Sequence, residues 1–147
     1  PTYMECALAE ARAAAARGEV PVGAVLAALA GGGILARAGN ETLARGDPTA
    51  HAEMLVIRQA AEALGSQRLD GCDLYVTLEP CAMCAGAISF ARIRRLYFGA
   101  EDAKGGAVEH GPRFFGQPTC HHAPEIYGGI DGTRAAGLLR DFFAARR

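Results

Sequence analysis

The fold and chemistry of this chain are best predicted from two stretches, His51-Ala52-Glu53 and Glu79-Pro80-Cys81-Ala82-Met83-Cys84. Glu79 follows Glu53 by 26 positions. Together they supply one imidazole, two thiolates and one carboxylate that is not needed as a ligand. This set suits a catalytic zinc ion, which takes three protein ligands and keeps a fourth position for water. The sequence therefore predicts one zinc ion, held by His51, Cys81 and Cys84.

The order of these residues, H-x-E followed by P-C-x-x-C, is the signature of zinc-dependent nucleobase deaminases. In that chemistry zinc lowers the pKa of its bound water from 15.7 to roughly 7. Glu53 follows His51 closely enough to reach this water without binding the metal. As a base it would take the water's proton, and as an acid it would pass protons to the ring and to the departing amine. The alternative for the cysteines is a thioredoxin-like pair.

The spacing of the ligands predicts two helix N-termini that point at the metal. Cys81 and Cys84 are three residues apart, so a helix that begins near Pro80 places both sulfurs on one face. Thr49 is expected to be the N-cap of a second helix, which carries His51 in its first turn. The partial positive charge of both helix ends would lower the pKa of the thiols.

Length and composition bound the remaining possibilities. A chain of 147 residues with 50% hydrophobic and 21% charged residues predicts one globular domain, here 1–147. Charged residues and glycines interrupt every long apolar run, so no membrane span is expected. The N-terminal segment carries acidic residues, which argues against a signal peptide. Without such a signal, five cysteines favour a reducing cytoplasm, and Cys6, Cys72 and Cys120 are expected to be buried small hydrophobes.

The net charge of −1 does not indicate a nucleic-acid-binding protein by itself. Arginines nevertheless cluster at Arg92, Arg94 and Arg95, and at Arg140, Arg146 and Arg147. Such clusters can bind phosphate, although they are also common on exposed helix faces.

Strands and helices alternate along the chain. Strands are predicted over 22–29, 34–38, 73–78 and 95–99, and helices over 2–17, 50–64, 81–90 and 133–147, with loop-rich segments at 40–49 and 101–131. This order predicts an α/β sheet covered on two faces, with an antiparallel first hairpin and a parallel β-α-β unit over 73–99. Ligands of such sheets bind beyond the carboxyl ends of the strands, where Glu79 and Pro80 also lie.

Over nearly its whole length the chain resembles the bacterial tRNA adenosine deaminases of the cytidine deaminase superfamily. The matching segments are Glu19-Val-Pro-Val-Gly-Ala-Val25, Asp47-Pro-Thr-Ala-His-Ala-Glu53, Val76-Thr-Leu-Glu-Pro-Cys-Ala-Met-Cys-Ala-Gly-Ala87, Phe98-Gly-Ala100 with Asp102-Ala-Lys104, and Leu139-Arg-Asp-Phe-Phe143. The resemblance implies a three-layer α/β/α, cytidine-deaminase-like fold with a mixed sheet of about five strands. It also implies a homodimer that converts the wobble adenosine of a tRNA to inosine.

The same resemblance assigns roles to individual residues. Asn40 would hydrogen-bond the flipped nucleotide, Val22 would pack on its base, and the backbone of Ala52 would bind the reacting edge of the ring. Phe142 and Arg146 would lie beside the anticodon stem-loop. The segment 105–124 departs from the family pattern, in a region that contributes to nucleic-acid and dimer contacts in the family.

Two features of the divergent segment have alternative interpretations. Cys120, His121 and His122 could bind a second metal ion, but contacts within the loop are the simpler expectation. Phe114 and Phe115 are expected in the core or at a dimer contact rather than as a platform for bases.

Two other functions compete with RNA deamination. The first is deamination of a free base such as guanine by the same metal chemistry. The second is a zinc-stabilised RNA-binding or partner subunit without activity, against which Glu53 argues, because a binding module has no need of a proton-transfer group beside the metal.

Overall fold

The computed structural model describes residues 1–146, and the predicted phosphate-binding residue Arg147 lies outside this range. Within it the chain forms five α-helices and five β-strands. In chain order they are α1 (Tyr3–Ala16), β1 (Gly23–Ala27), β2 (Ile34–Gly39), α2 (Thr42–Arg45), α3 (Ala52–Leu64), β3 (Asp73–Leu78), α4 (Ala82–Ala91), β4 (Arg95–Ala100), β5 (Glu125–Tyr127) and α5 (Gly132–Ala144).

The strands form one mixed sheet in the order β2-β1-β3-β4-β5. β1 runs antiparallel to both β2 and β3, whereas β3, β4 and β5 are parallel. The antiparallel hairpin and the parallel β3-α4-β4 unit expected from the sequence are therefore confirmed.

Helices cover both faces of the sheet because its side chains alternate between two cores. Leu74 and Val76 of β3 pack in the larger core, with residues of α3 and α4 such as Val56 and Ile88. Tyr75 of the same strand faces the other way, toward a second core that contains residues of α1 and α5. The three-layer α/β/α fold is confirmed.

Several boundaries differ from the predicted ones for identifiable reasons. β1 stops at Ala27, and a 3-10 turn at Leu29–Gly31 replaces its last residues. The predicted loop 40–49 contains the short helix α2, which contacts Glu19. Thr49 is not the N-cap of α3, which is His51; the N–H and hydroxyl of Thr49 instead donate to the Asp47 carboxylate, at 2.8 and 2.7 Å.

No helix within residues 1–146 is long and apolar enough to cross a membrane.

Candidate active site

Two of the three predicted metal ligands are N-cap residues of helices. His51 is the N-cap of α3 and Cys81 is the N-cap of α4, and both have extended backbone conformations. Neither side chain caps its own helix. Instead, the two side chains meet in the space between the helix N-termini, where Cys84, in the first turn of α4, joins them.

The three ligand atoms have the spacing that a tetrahedral zinc ion requires. His51 Nδ1 lies 3.6 Å from Cys81 Sγ and 3.5 Å from Cys84 Sγ. Zinc bonds of about 2.0 Å to nitrogen and about 2.3 Å to sulfur, at tetrahedral angles, place such atoms about 3.6 Å apart. Within residues 1–146 this is the one group of three or more His, Cys, Asp or Glu side chains close enough to share a metal ion. The donor set therefore fits zinc.

The two thiols differ in acidity. The hydrogen bond from Cys84, opposed by burial, lowers the pKa of Cys81 to about 4. The same hydrogen bond and burial raise the pKa of Cys84 above its ordinary value. The metal-free site thus contains one thiolate and one thiol, and a metal that binds both sulfurs must release the remaining proton.

Glu53 lies in the first turn of α3, two residues after His51, and only 4% of its surface is exposed. Burial raises the pKa of its carboxyl group to about 7. A carboxyl group with a pKa near the working pH can both accept and donate a proton.

Asn40 links β2 to the start of α3. Its Oδ1 accepts a hydrogen bond of 2.8 Å from the N–H of Ala52, one of the N–H groups at the helix terminus that have no partner within the helix. With Oδ1 used in this way, the Asn40 amide has its N–H₂ donors left for the cavity that it lines.

A cavity of about 340 Å³ opens over the ligand group. Its wall includes the predicted residues Val22, Asn40, His51, Glu53 and Cys81, and the unpredicted residues Val20, Thr42, Leu78, Glu79, Asp102 and Gly105. Ala52 is fully buried beneath it. The cavity lies where β3 ends, as the sheet topology predicts.

Phe142 and Arg146 do not line this cavity. Phe142 is 8% exposed, and the Arg146 guanidinium lies 3.5 Å from the centre of its ring. Phe143, the neighbouring aromatic residue, is half exposed.

The arginine cluster at residues 92–95 is not at the cavity. Arg94 makes two hydrogen bonds with Asp73, of 2.9 and 2.6 Å, and Arg95 pairs with Glu125. Asp73 and Arg95 begin β3 and β4, whereas the cavity lies at the opposite end of these strands. Arg94 and Arg95 are therefore paired with acids and lie away from the cavity, and phosphate binding by this cluster stays a prediction.

The divergent segment 105–124 contributes contacts within the fold. The Cys120 thiol donates to the His122 carbonyl, the His122 N–H donates to Ser89 Oγ, and no second metal group forms within residues 1–146. Phe115 packs against the larger core, as expected. Of the remaining cysteines, Cys72 is buried as expected, but Cys6 and Cys120 are only partly buried.

Sequence reasoning gave no role to two buried carboxylates, Glu79 in the cavity wall and Glu19 beside the lining residue Thr42. Glu19 and Glu79 are each 2% exposed, and each accepts several backbone N–H groups. The available signal was their position: each is the first residue of a segment quoted in the sequence analysis.

Residues 1–100 match the family model described as the cytidine and deoxycytidylate deaminase zinc-binding region. That match spans well over half of the chain, and the chain therefore belongs to this family.

Within the family, the chain is similar over its length to proteins named tRNA-specific adenosine deaminase. It is 63% identical to one from Agrobacterium fabrum over 145 residues, which cover 99% of this chain and 94% of the relative. It is 44% identical to one from Bacillus subtilis, with 99% and 89% covered.

Among solved structures, a tRNA adenosine deaminase is also more similar to this chain than a guanine deaminase is. A structure from a study of A-to-I editing by tRNA:A34 deaminases at the wobble position is 64% identical and has a TM-score of 0.90, with 93% of this chain and 98% of that chain covered. A guanine deaminase from Bacillus subtilis is 32% identical and has a TM-score of 0.66, with 98% and 91% covered. The resemblance predicted from the sequence is confirmed, and the guanine deaminases are more distant.

Proposed function

We propose that this protein is a zinc-dependent hydrolase that converts adenosine to inosine at the wobble position of a tRNA. The observation that carries the proposal is the buried carboxyl group of Glu53 beside three side chains spaced for zinc. The identity of 63% over 99% of the chain to a tRNA-specific adenosine deaminase supports the choice of substrate.

His51, Cys81 and Cys84 would hold one zinc ion in each chain. When bound, zinc would supply a water molecule acidified enough to attack carbon at neutral pH. Glu53 would accept one proton from the attacking water and pass it to the ring nitrogen, and would then carry the second proton of that water to the departing amine, so that adenosine and water give inosine and ammonia. In the metal-free protein burial raises the pKa of Glu53 to about 7, and a buried carboxyl group of this kind can both accept and donate a proton.

The residues of the cavity wall orient the base. Val22, which is 5% exposed, offers an apolar surface to the ring, and the Asn40 amide donors face the nucleotide. The proposed contact of the ring with the Ala52 backbone would share an N–H that already donates to Asn40 Oδ1. A flipped base held in this way has its reacting carbon fixed beside the metal.

Contacts outside the cavity would bind the rest of the anticodon stem-loop. Phe142 and Arg146 are proposed for this role, because Arg146 remains exposed while it stacks on Phe142. The protein would act as a homodimer in the cytoplasm. All five cysteines are free, which is consistent with a reducing compartment.

The test of this function is a parallel assay on three substrates. Zinc-loaded protein should deaminate adenosine in an anticodon stem-loop and should leave free adenine and free guanine unchanged. Activity should fall steeply with added salt, because phosphate contacts release counterions. If the protein ignored the stem-loop but converted guanine, the small-base alternative would replace the RNA proposal.

The control for this assay is the Glu53→Ala variant with its full zinc content. Its turnover should be at least about 10²-fold below that of the wild type, and turnover equal to that of the wild type would come from a contaminant. If neither substrate class were converted while zinc was bound, the non-catalytic alternative would be favoured.

A further inference from the structure

Glu79 is the first residue after β3 and stands two residues before the ligand Cys81. Only 2% of its surface is exposed, and its backbone N–H donates to the carbonyl of Ala100. Glutamates are almost never fully buried unless they are paired. The partners of this carboxylate therefore indicate its role.

All of those partners belong to one segment, residues 102–110, called the wall segment below. Oε1 accepts hydrogen bonds from the N–H of Asp102, at 3.0 Å, and from His110 Nδ1, at 2.8 Å. Oε2 accepts the N–H groups of Val108, Glu109 and His110, at 3.1, 2.9 and 3.1 Å. Four backbone groups of a segment without regular structure thus converge on a single carboxylate.

The wall segment also hydrogen-bonds to Pro80, the residue after Glu79, and its backbone at Gly106 leaves no room for a side chain beside Glu79. The N–H of Ala107 donates to the carbonyl of Pro80 at 2.9 Å. A Cβ atom on Gly106 would lie 2.5 Å from Glu79 Cδ, so a side chain at this position would displace the segment.

The wall segment forms part of the cavity, because Asp102 and Gly105 line it together with Glu79 itself. The other lining residues lie in β3, α2 and α3 and in the loops next to β1, β2, α3 and α4, and the ligand Cys84 lies on α4. Displacement of the wall segment would consequently change the shape of the cavity and leave those elements in place.

We propose that Glu79 is a positioning residue that fixes the wall segment, and through it the substrate-binding shape of the cavity. The proposal rests on the proposed function, because it assumes that the cavity holds the base that is deaminated. Glu79 takes no part in proton transfer. It acts only as the common acceptor around which residues 102–110 fold.

The primary test is Glu79→Gln in the zinc-loaded full chain. Glutamine has nearly the same shape, but its amide N–H₂ group must face at least one backbone N–H, and a buried donor without an acceptor is unfavourable. We expect KM for the anticodon stem-loop to rise by at least about tenfold while kcat changes by less than about threefold and zinc content is unchanged. Hydrogen exchange should accelerate in peptides from the wall segment and stay unchanged in α3 and α4.

Asp73→Asn is the matched control, because Asp73 is a buried acid at the opposite end of the same strand, β3. It loses its ion pair with Arg94 and should lower stability without a change in KM. Gly106→Ala perturbs the contact with Glu79 from the other side and should reproduce the KM rise. Gly116→Ala, where a Cβ meets no atom within 4 Å, should not.

Loss of zinc from Glu79→Gln, or a fall in kcat at constant KM, would overturn the proposal, because Glu79 would then serve the metal or the chemistry. An equal KM rise in Asp73→Asn would also overturn it, since general destabilisation would explain both. If the wild type converted guanine instead of the stem-loop, the proposed substrate would be wrong, but the same KM comparison on guanine and the exchange pattern would still decide the role of Glu79.

Discussion

Replacement of Glu53 with glutamine should inactivate the enzyme while it stabilises the metal-free fold. Glutamine keeps the shape of the side chain and removes its ability to transfer protons. Loss of a positioned acid–base group typically costs about 10²–10⁴-fold in rate, and here one group is proposed for several transfers, so we expect the upper end. Zinc content should remain that of the wild type, because Glu53 is not a ligand.

The expected gain in stability follows from the pKa. Burial raises the pKa of Glu53 from 4.5 to about 7, which corresponds to a penalty on the order of 3 kcal/mol for the charged form in the metal-free protein. The folded state binds the proton more tightly than the unfolded state. The penalty is therefore absent below about pH 4.5, grows as the pH rises, and is complete above about pH 7. Glutamine, which carries no charge, avoids it.

The assay is urea unfolding of zinc-free protein at pH 5 and pH 8, beside deamination by the zinc-loaded form. Glu53→Gln should raise the free energy of unfolding more at pH 8 than at pH 5. Glu62→Gln, an exposed change on the same helix, should alter neither stability nor activity. Activity above about a tenth of the wild type would refute the proton-transfer role, and a loss of stability at pH 8 would refute the pKa argument.

Three further changes test other parts of the site. Cys84→Ala should lose zinc and lower the melting temperature of the zinc-loaded sample, because the ligands join α3 to α4, and Cys72→Ala, at a cysteine outside the ligand group, should keep zinc. Asn40→Asp retains the acceptor for the Ala52 N–H but loses the donors toward the cavity, so KM should rise about tenfold with stability nearly unchanged, whereas Asn40→Ala should also cost about 1 kcal/mol of unfolding free energy. For Glu19, burial raises the pKa but hydrogen bonds from Ala44 and Leu43 lower it further, to below its usual range. Glu19→Gln should therefore lower the unfolding free energy by about 1–3 kcal/mol at pH 7, and denaturation curves should show this difference shrinking as the pH falls below about 4.

The sequence was sufficient for the elements whose pattern is local. Apolar periodicity and Gly65, which ends α3 in a left-handed conformation, gave α3 to within two residues at its start and at the correct end. The strand Asp73–Leu78 was predicted with its observed limits. The spacing of the ligands along the chain, together with helix geometry, was enough to predict that His51, Cys81 and Cys84 lie close together, as they do in the structure.

Features that depend on tertiary partners could not be read in this way. The predicted N-cap, Thr49, lies in a turn with Asp47 two residues before the observed N-cap, His51, and the N–H of Ala52 donates to Asn40 outside the helix. Likewise, α2 has four residues and no apolar face of its own, and it forms where Glu19 accepts its N–H groups. The ion pairs of Arg94 with Asp73 and of Arg95 with Glu125 also could not be predicted, because the partners are far apart in sequence.

Three buried glutamates, Glu53 and Glu79 in the cavity wall and Glu19 beside the lining residue Thr42, show what separates an acid that holds structure from one that performs chemistry. In sequence, Glu53 and Glu79 look equivalent, since each stands two residues from a metal ligand. Glu79 and Glu19 are surrounded by backbone N–H groups whose hydrogen bonds outweigh burial and hold the pKa of each carboxyl below its usual range, so both stay charged acceptors at neutral pH. The donors near Glu53, its own N–H and the Cys84 thiol, do not offset burial, and its pKa rises to about 7. A carboxylate with four backbone donors is too strongly held to exchange protons, which leaves Glu53 as the residue able to move them.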